Sequence, residues 1–143
     1  MNPNYIHTIT VYNCFRAADN PDSTKDIWQK TVLHDCYYKN VIGRVDSDKT
    51  ARMQNVYTAR IPQSDNYIPY REWAQKPDAA RSSYFTFSLG DIVVKGECDD
   101  LITGESPNTA TELLQRYKPD AFKVTAFSDN TSHKMSKHYR VGG

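Results

Sequence analysis

Hydrophobic positions along this chain alternate far more often than they recur at helical spacing. In residues 5–12 (YIHTITVY), Ile9 and Val11 fall on one face and Thr8, Thr10 and Tyr12 on the other, a period of two that predicts a strand. Residues 15–26 (FRAADNPDSTKD) form a polar, turn-rich connection around Asn20-Pro21-Asp22-Ser23. Residues 27–38 (IWQKTVLHDCYY) are β-branched and aromatic enough for a second strand, bulged near His34 and Asp35, and residues 41–45 are expected to continue its pairing. The charged stretch 46–54 (DSDKTARMQ) carries no helical stripe and is expected to be an exposed excursion between strands. Alternation returns in residues 55–62 (NVYTARIP), setting Val56, Thr58 and Arg60 opposite Tyr57, Ala59 and Ile61.

Pro69 and Pro77 punctuate residues 67–80, which are expected to form a surface loop with one short helical turn at 70–75. Residues 84–96 (YFTFSLGDIVVKG) hold two apolar runs parted by Leu-Gly-Asp. They predict a hairpin, with strands at 84–89 and 91–97, Gly90 supplying the backbone freedom of a tight reversal and Asp91 bonding its own backbone. One helix is expected near residues 107–117. Ser106 would cap it, Pro107 would take the first helical position, and Thr109 with Glu112 makes a possible capping box. Ala110, Leu113, Leu114 and Tyr117 form its one-sided stripe, and Lys118-Pro119 ends it. Residues 121–128, a turn at 129–132 and residues 137–141 close the chain. The expected fold is mainly β: a small antiparallel barrel or sandwich, residues 1–143 as one domain, with the amphipathic helix closing an end or covering a face.

Composition sharpens this picture. A chain of 143 residues buries roughly 68% of its unfolded surface, enough for a real core. Eighteen Lys and Arg against 17 Asp and Glu leave a formal charge of +1, so no broad field holds DNA or an anionic membrane. No apolar run approaches the ~18 residues that cross a bilayer, and residues 1–6 do not resemble a signal peptide. A soluble protein that stays where it is made is expected. Cys14, Cys36 and Cys98 are odd in number and lack a framework spacing, which fits reduced, buried side chains in a cytosol.

Candidate chemistry is sparse. His34-Asp35-Cys36 pairs a thiol with an imidazole, yet nothing nearby marks an oxyanion hole, and a strand position explains it as well. His133, His138, Cys98 and His7 can be drawn as a zinc site, but they lack the close ligand pairs of one. Asp91, Glu97, Asp99, Asp100 and Glu105 read as an acidic patch suited to a complementary contact better than to acid–base work or a cation. Gly90, Gly96 and Gly104 do not have phosphate-cradle spacing. Arg44, Lys49, Arg52, Arg60 and Arg71 lie amid tyrosines, a mixture shared by single-strand nucleic-acid grooves and protein interfaces, and the neutral charge favours the latter. No catalytic residue, cofactor or metal ligand is assigned, and enzymatic activity is not expected.

The segments ITVYN (9–13), WQKTVLHDCYYKN (28–40), NVYTARIP (55–62), YFTFSLGDIVVKGE (84–97), SPNTATELLQRYKP (106–119), FKVTAFSDN (122–130) and HYRVGG (138–143) resemble a family of small proteins encoded in the structural-gene region of tailed phages and prophages of Gram-positive bacteria. The plan also resembles head-completion, or stopper, proteins of phage necks. The resemblance implies a virion protein, assembled in the host cytoplasm as a homo-oligomeric ring of about six copies. Such a ring sits between portal or adaptor and tail, closes the DNA channel, docks the tail, and touches packaged DNA only incidentally. On that reading Asp46, Asp48, Lys49, Thr50, Arg52 and Gln54 form a channel loop, while Arg16, Asp22, Lys25, Asp99, Asp100, Glu105, Asn130, His133 and Lys134 meet other neck components. The length and the helix also fit a tail-terminator or tail-completion protein. Outside the virion, the alternative is a phage binding module acting on a host protein or single-stranded nucleic acid.

Overall fold

The computed structural model describes residues 5–21, 24–47, 50–132, 134–135 and 137–143, with side chains described outside residues 42–55. Among these the chain forms one curled, antiparallel, seven-stranded sheet with three short helices. The strands are β1 (His7–Phe15), β2 (Ile27–Ser47), β3 (Thr50–Pro62), β4 (Ile92–Lys95), β5 (Ala121–Lys123), β6 (Ala126–Asp129) and β7 (His138–Gly142). The helices are α1 (Tyr70–Gln75), α2 (Asp78–Arg81) and α3 (Ala110–Tyr117). The mainly-β expectation holds, and the sheet curls into a half-barrel.

Strand order is β5-β4-β1-β2-β3-β7-β6, so the edge strands β5 and β6 are consecutive in sequence, separated by Val124 and Thr125 alone. The Val124 N–H donates to the Asp91 carbonyl at 2.7 Å, and the Thr125 N–H donates to that of Gly142 at 2.8 Å. One bent stretch therefore pairs with β4 at its start and with β7 at its end, which draws the sheet's two edges toward each other. Residues 121–128 are thus two strands where the alternation suggested one.

β1 is buried on both faces. Ile9 and Val11 enter the interior of the curl with Val93, Phe122 and Val141, while Tyr12 points outward into a second cluster with Ile92, Val94 and Leu113. The second cluster is the underside of α3, whose stripe residues Ala110, Leu114 and Tyr117 pack partly buried around it. Burying a side chain such as Leu113 contributes about 1.5–3 kcal/mol and clamps the helix to the outside of the sheet. The cap forms, with a side-chain bond in place of the box's second half: Thr109 Oγ1 accepts from the Glu112 N–H at 3.2 Å and donates to the Glu112 carboxylate at 2.9 Å. Thr109 is therefore the cap and Ala110 the first helical residue, so the start expected at Ser106-Pro107 lies one turn too early. Lys118-Pro119 ends the helix as expected, with Lys118 as its C-cap.

β2 carries the bulge. His7 pairs with Cys36 and Ile9 with Leu33, so β2 has one residue more than β1 across this step, and Asp35 takes it up with φ of 57°. Beyond the bulge β2 leaves β1 and pairs with β3 from Tyr37↔Arg60 out to Ser47↔Thr50.

The predicted hairpin at residues 84–96 does not form. Only its second run is a strand, β4, and that run pairs with β1 and β5. Residues 84–89 form no strand. Phe85 makes an isolated parallel bridge with Tyr67, and side chains bond the backbone on either side of it: Gln29 on β2 donates to the Tyr84 carbonyl at 2.7 Å, and Asn13 on β1 holds Thr86. The Asn13 amide donates to the Thr86 carbonyl, and its oxygen accepts from the Thr86 N–H at 3.3 Å. Gly90, with φ of 97°, does supply the reversal. The surface-loop reading of residues 67–80 is also corrected. The α1 turn sits where expected, but Trp73 on it is 0% exposed, edge-on to Phe15 at 5.8 Å. Arg81 on α2 lays its guanidinium over Phe15 at 4.0 Å and donates to the Trp73 carbonyl at 3.2 Å, locking both helices over the end of β1.

Candidate assembly interface

The outer part of the β2–β3 hairpin projects from the body as an arm. β1 pairs with β2 only as far as Cys36, and β7 pairs with β3 only from Thr58 to Pro62. From Val41↔Val56 to Ser47↔Thr50 the two strands make seven backbone pairs with each other, and among the described residues no other strand flanks them. At about 3.4 Å per residue the arm reaches roughly 20 Å beyond the sheet. The pair at its root is exposed and apolar: Val41 is 44% and Val56 49% exposed.

The excursion expected at residues 46–54 is therefore mostly strand. Asp46 pairs with Ala51, Ser47 with Thr50, Val45 with Arg52 and Gly43 with Gln54. Charged composition suggested a loop, but the ladder is made by backbone groups and needs no apolar alternation. Of the proposed channel residues, Asp46, Thr50, Arg52 and Gln54 lie on this arm, and Asp48 and Lys49 fall outside the described residues.

Next to the arm's root an open groove of about 520 Å³ runs over β3, β7 and β6, lined by Val56, Thr58, Thr125, Phe127, Arg140 and Gly142 among others. Its far wall is β6, the sheet edge. The Asn130 N–H donates to the His138 carbonyl at 2.9 Å, and Ser128 lies opposite Arg140 two residues on. Since alternate pairs of an antiparallel ladder exchange both bonds, Ser128 points its backbone at β7, and Phe127 and Asp129 point theirs away from it. Ala126, Ser128 and Asp129 are exposed. At the opposite edge Gly143 stands against β5, close enough to the Lys123 carbonyl that a Cβ there would collide with it.

The residues expected to contact partners lie on three separate connections. Arg16, after β1, lays its guanidinium over Tyr70 at 4.6 Å and donates to the Ser88 hydroxyl, so it serves the packing of α1, and Lys25 is exposed before β2. Asp99 and Glu105 are exposed ahead of α3. Asp100 is not free for a partner: its carboxylate accepts from the Tyr117 hydroxyl at 2.6 Å and from Arg116 at 2.7 Å, and these two bonds hold its carboxyl below the ordinary range. Asn130 donates to the Ser128 hydroxyl at 3.2 Å, and Lys134 is exposed in the β6–β7 turn. Asp22 and His133 lie outside the described residues.

The remaining candidates separate. Asp91 does not belong to a surface acidic patch: it is 1% exposed and accepts from the Asn13 amide at 3.0 Å and from the N–H groups of Cys14 and Ser88 at 3.1 and 2.9 Å. Burial nevertheless raises its carboxyl to about 6, against the lowering effect of those donors. Sequence reading missed this network. Its one signal was Asn13, a lone amide inside the apolar run Val11 to Phe15. Cys36 is buried, and desolvation with the Asp35 charge pushes its thiol up to about 12, the reverse of what activates a nucleophile. Cys14 is likewise pushed up to about 12 by burial. His7 Nδ1 accepts from the Tyr38 N–H at 3.3 Å, and His138 and Cys98 lie on different elements. Among the described residues no three His, Cys, Asp or Glu side chains gather where they could hold a metal ion. Among the same residues no helix is long and apolar enough to cross a membrane.

The chain matches the model of a family of unknown function (DUF6751) over residues 5–143, and it belongs to that family. No curated protein and no solved structure matches it.

Proposed function

We propose that this member of the DUF6751 family is a structural protein of the tailed-phage virion, a ring-forming subunit of the head–tail connector of the stopper or head-completion type. The observation that carries the reading is the seven-pair arm standing out from a curled β-body. A two-stranded ribbon without flanking strands is marginal by itself, and its place in a protein is explained when something outside the body receives it. In a ring, arms directed inward from each subunit narrow the central channel, and the residues of the arm tip meet DNA held there. The near-neutral charge suits this role, because a plug must obstruct DNA without binding it so strongly that ejection fails. The sequence resemblance to phage neck proteins supports the same reading, with portal or adaptor on one face of the ring, tail on the other, and assembly in the host cytoplasm.

The test is genetic. Replacing residues 42–55 by Asn-Gly joins Val41 to Val56 through a two-residue turn and removes the arm while leaving the body's pairing intact. Heads assembled with the shortened chain are expected to package DNA and then lose it. Full DNA retention contradicts the channel role.

A further inference from the structure

The arm and the β6 edge are two halves of one contact that a single chain cannot make with itself. β7 stands between β3 and β6, and the backbone groups of Phe127 and Asp129, which meet no other strand among the described residues, look away from β7 and hence away from the chain's own arm. At the other sheet edge, β5, Gly143 stands against Lys123, and Ala121 and Phe122 are buried, whereas three of the four β6 residues are exposed. An uncovered edge is a template for strand addition, and natural proteins shield such edges unless they are used. β6 is shielded only by its shortness and by the exposed Asp129 at its end: it has no proline and no lysine, and alanine and serine occupy its other two exposed positions.

We propose that a second copy of this chain lays the root of its β2–β3 arm along β6, so that the arm of each subunit extends the sheet of the next. The contact is head-to-tail, joining two different surfaces, and such contacts close into rings when the rotation permits. The lengths agree with a channel role as well. β6 offers four residues against seven pairs in the arm, so the root is held by the neighbour and the tip runs on beyond it. The exposed Val41 and Val56 at the root then come to lie beside the groove over β7. This inference deepens the reading of the chain as a ring subunit and rests on it.

Mixing two variants tests it, with sedimentation or native mass spectrometry as the readout. The arm-shortened chain keeps its edge and lacks its arm. Asp129→Pro keeps its arm and loses one outward-facing N–H, with Asp129→Ala as the control that removes the same carboxylate but keeps the donor. Should Asp129→Pro not fold, Ala126→Lys places a charge on the exposed edge in its stead. The wild-type chain and Asp129→Ala are expected to associate with rising concentration, each blocked variant alone to associate at least tenfold more weakly, and their equal mixture to form 1:1 pairs and nothing larger. A wild-type chain monomeric up to millimolar concentration, blocked variants that associate like wild type, an Asp129→Ala chain that fails as Asp129→Pro does, or a mixture without pairs would each overturn the proposal. Association in solution by a chain absent from virions would keep the interface and remove the virion role. A chain in the virion whose variants never pair would do the opposite.

Discussion

Asn13 and Asp91, 78 residues apart in the chain, share a buried hydrogen bond of 3.0 Å. Through it the last turn of β1 holds the start of β4, and the same amide group holds Thr86 by both its backbone groups. Side-chain bonds do here what a strand ladder would otherwise do, which is why residues 84–89 stay extended without joining the sheet.

Asn13→Ala strips partners from Thr86 and Asp91 at once. Each buried polar group left unsatisfied costs about 1–3 kcal/mol, so the variant is expected to lose roughly 2–4 kcal/mol in denaturant unfolding. A loss under about 1 kcal/mol, of the size seen for a simple surface substitution, contradicts the network's role.

Asp91 also makes stability depend on pH. Its carboxyl is raised to about 6 by burial, so the folded chain keeps this proton where the unfolded chain has released it. The contribution is full below about pH 4 and is lost as pH rises through 6, a change on the order of 2–3 kcal/mol. Unfolding curves measured from pH 4 to 7 are expected to lose this component in Asp91→Asn. An unchanged slope assigns it elsewhere.

Trp73 is the anchor of α1 and α2. Trp73→Ala leaves a cavity beneath Arg81 and beside Phe15, with an expected cost of about 3–5 kcal/mol. Calorimetry checks this directly, and a melting temperature within a degree of wild type contradicts the packing described.

Thiol labelling reads burial without a variant. With both thiols raised to about 12, Cys14 and Cys36 present roughly one thiolate in ten thousand at pH 8. Mass spectrometry after brief alkylation of the native chain should find neither modified, and both modified in denaturant. Fast native labelling of Cys36 contradicts its buried place in the core.

Much of this fold was legible because side-chain alternation reports faces. The Val56/Tyr57 alternation, the stripe on α3, the turn at 70–75 and the bulge at His34-Asp35 all appear where the pattern put them. Alternation does not report backbone partners. Phe85 and Phe87 both enter the core and so imitate a strand, while Thr86 bonds to the Asn13 side chain and the Phe85 N–H to the Asn66 carbonyl instead of a ladder. The arm was legible at its root, where residues 41–45 were expected to continue the second strand, and illegible over 46–54, where a backbone ladder through charged residues reads as loop. Asp91 looked like surface acid because a list of carboxylates carries no depth. Asp100 looked free because its partners, Arg116 and Tyr117, come from a helix 16 and 17 residues on.

In the proposed role this β-body is an assembly subunit that projects its arm toward the axis of a ring. Imaging whole particles of a phage that encodes the chain tests it most directly, at a resolution that follows individual strands. The account predicts copies of the chain encircling the junction of head and tail, with the β2–β3 arms directed inward. Particles that lack the chain, or a ring in which the arms face the surrounding solvent, would contradict it.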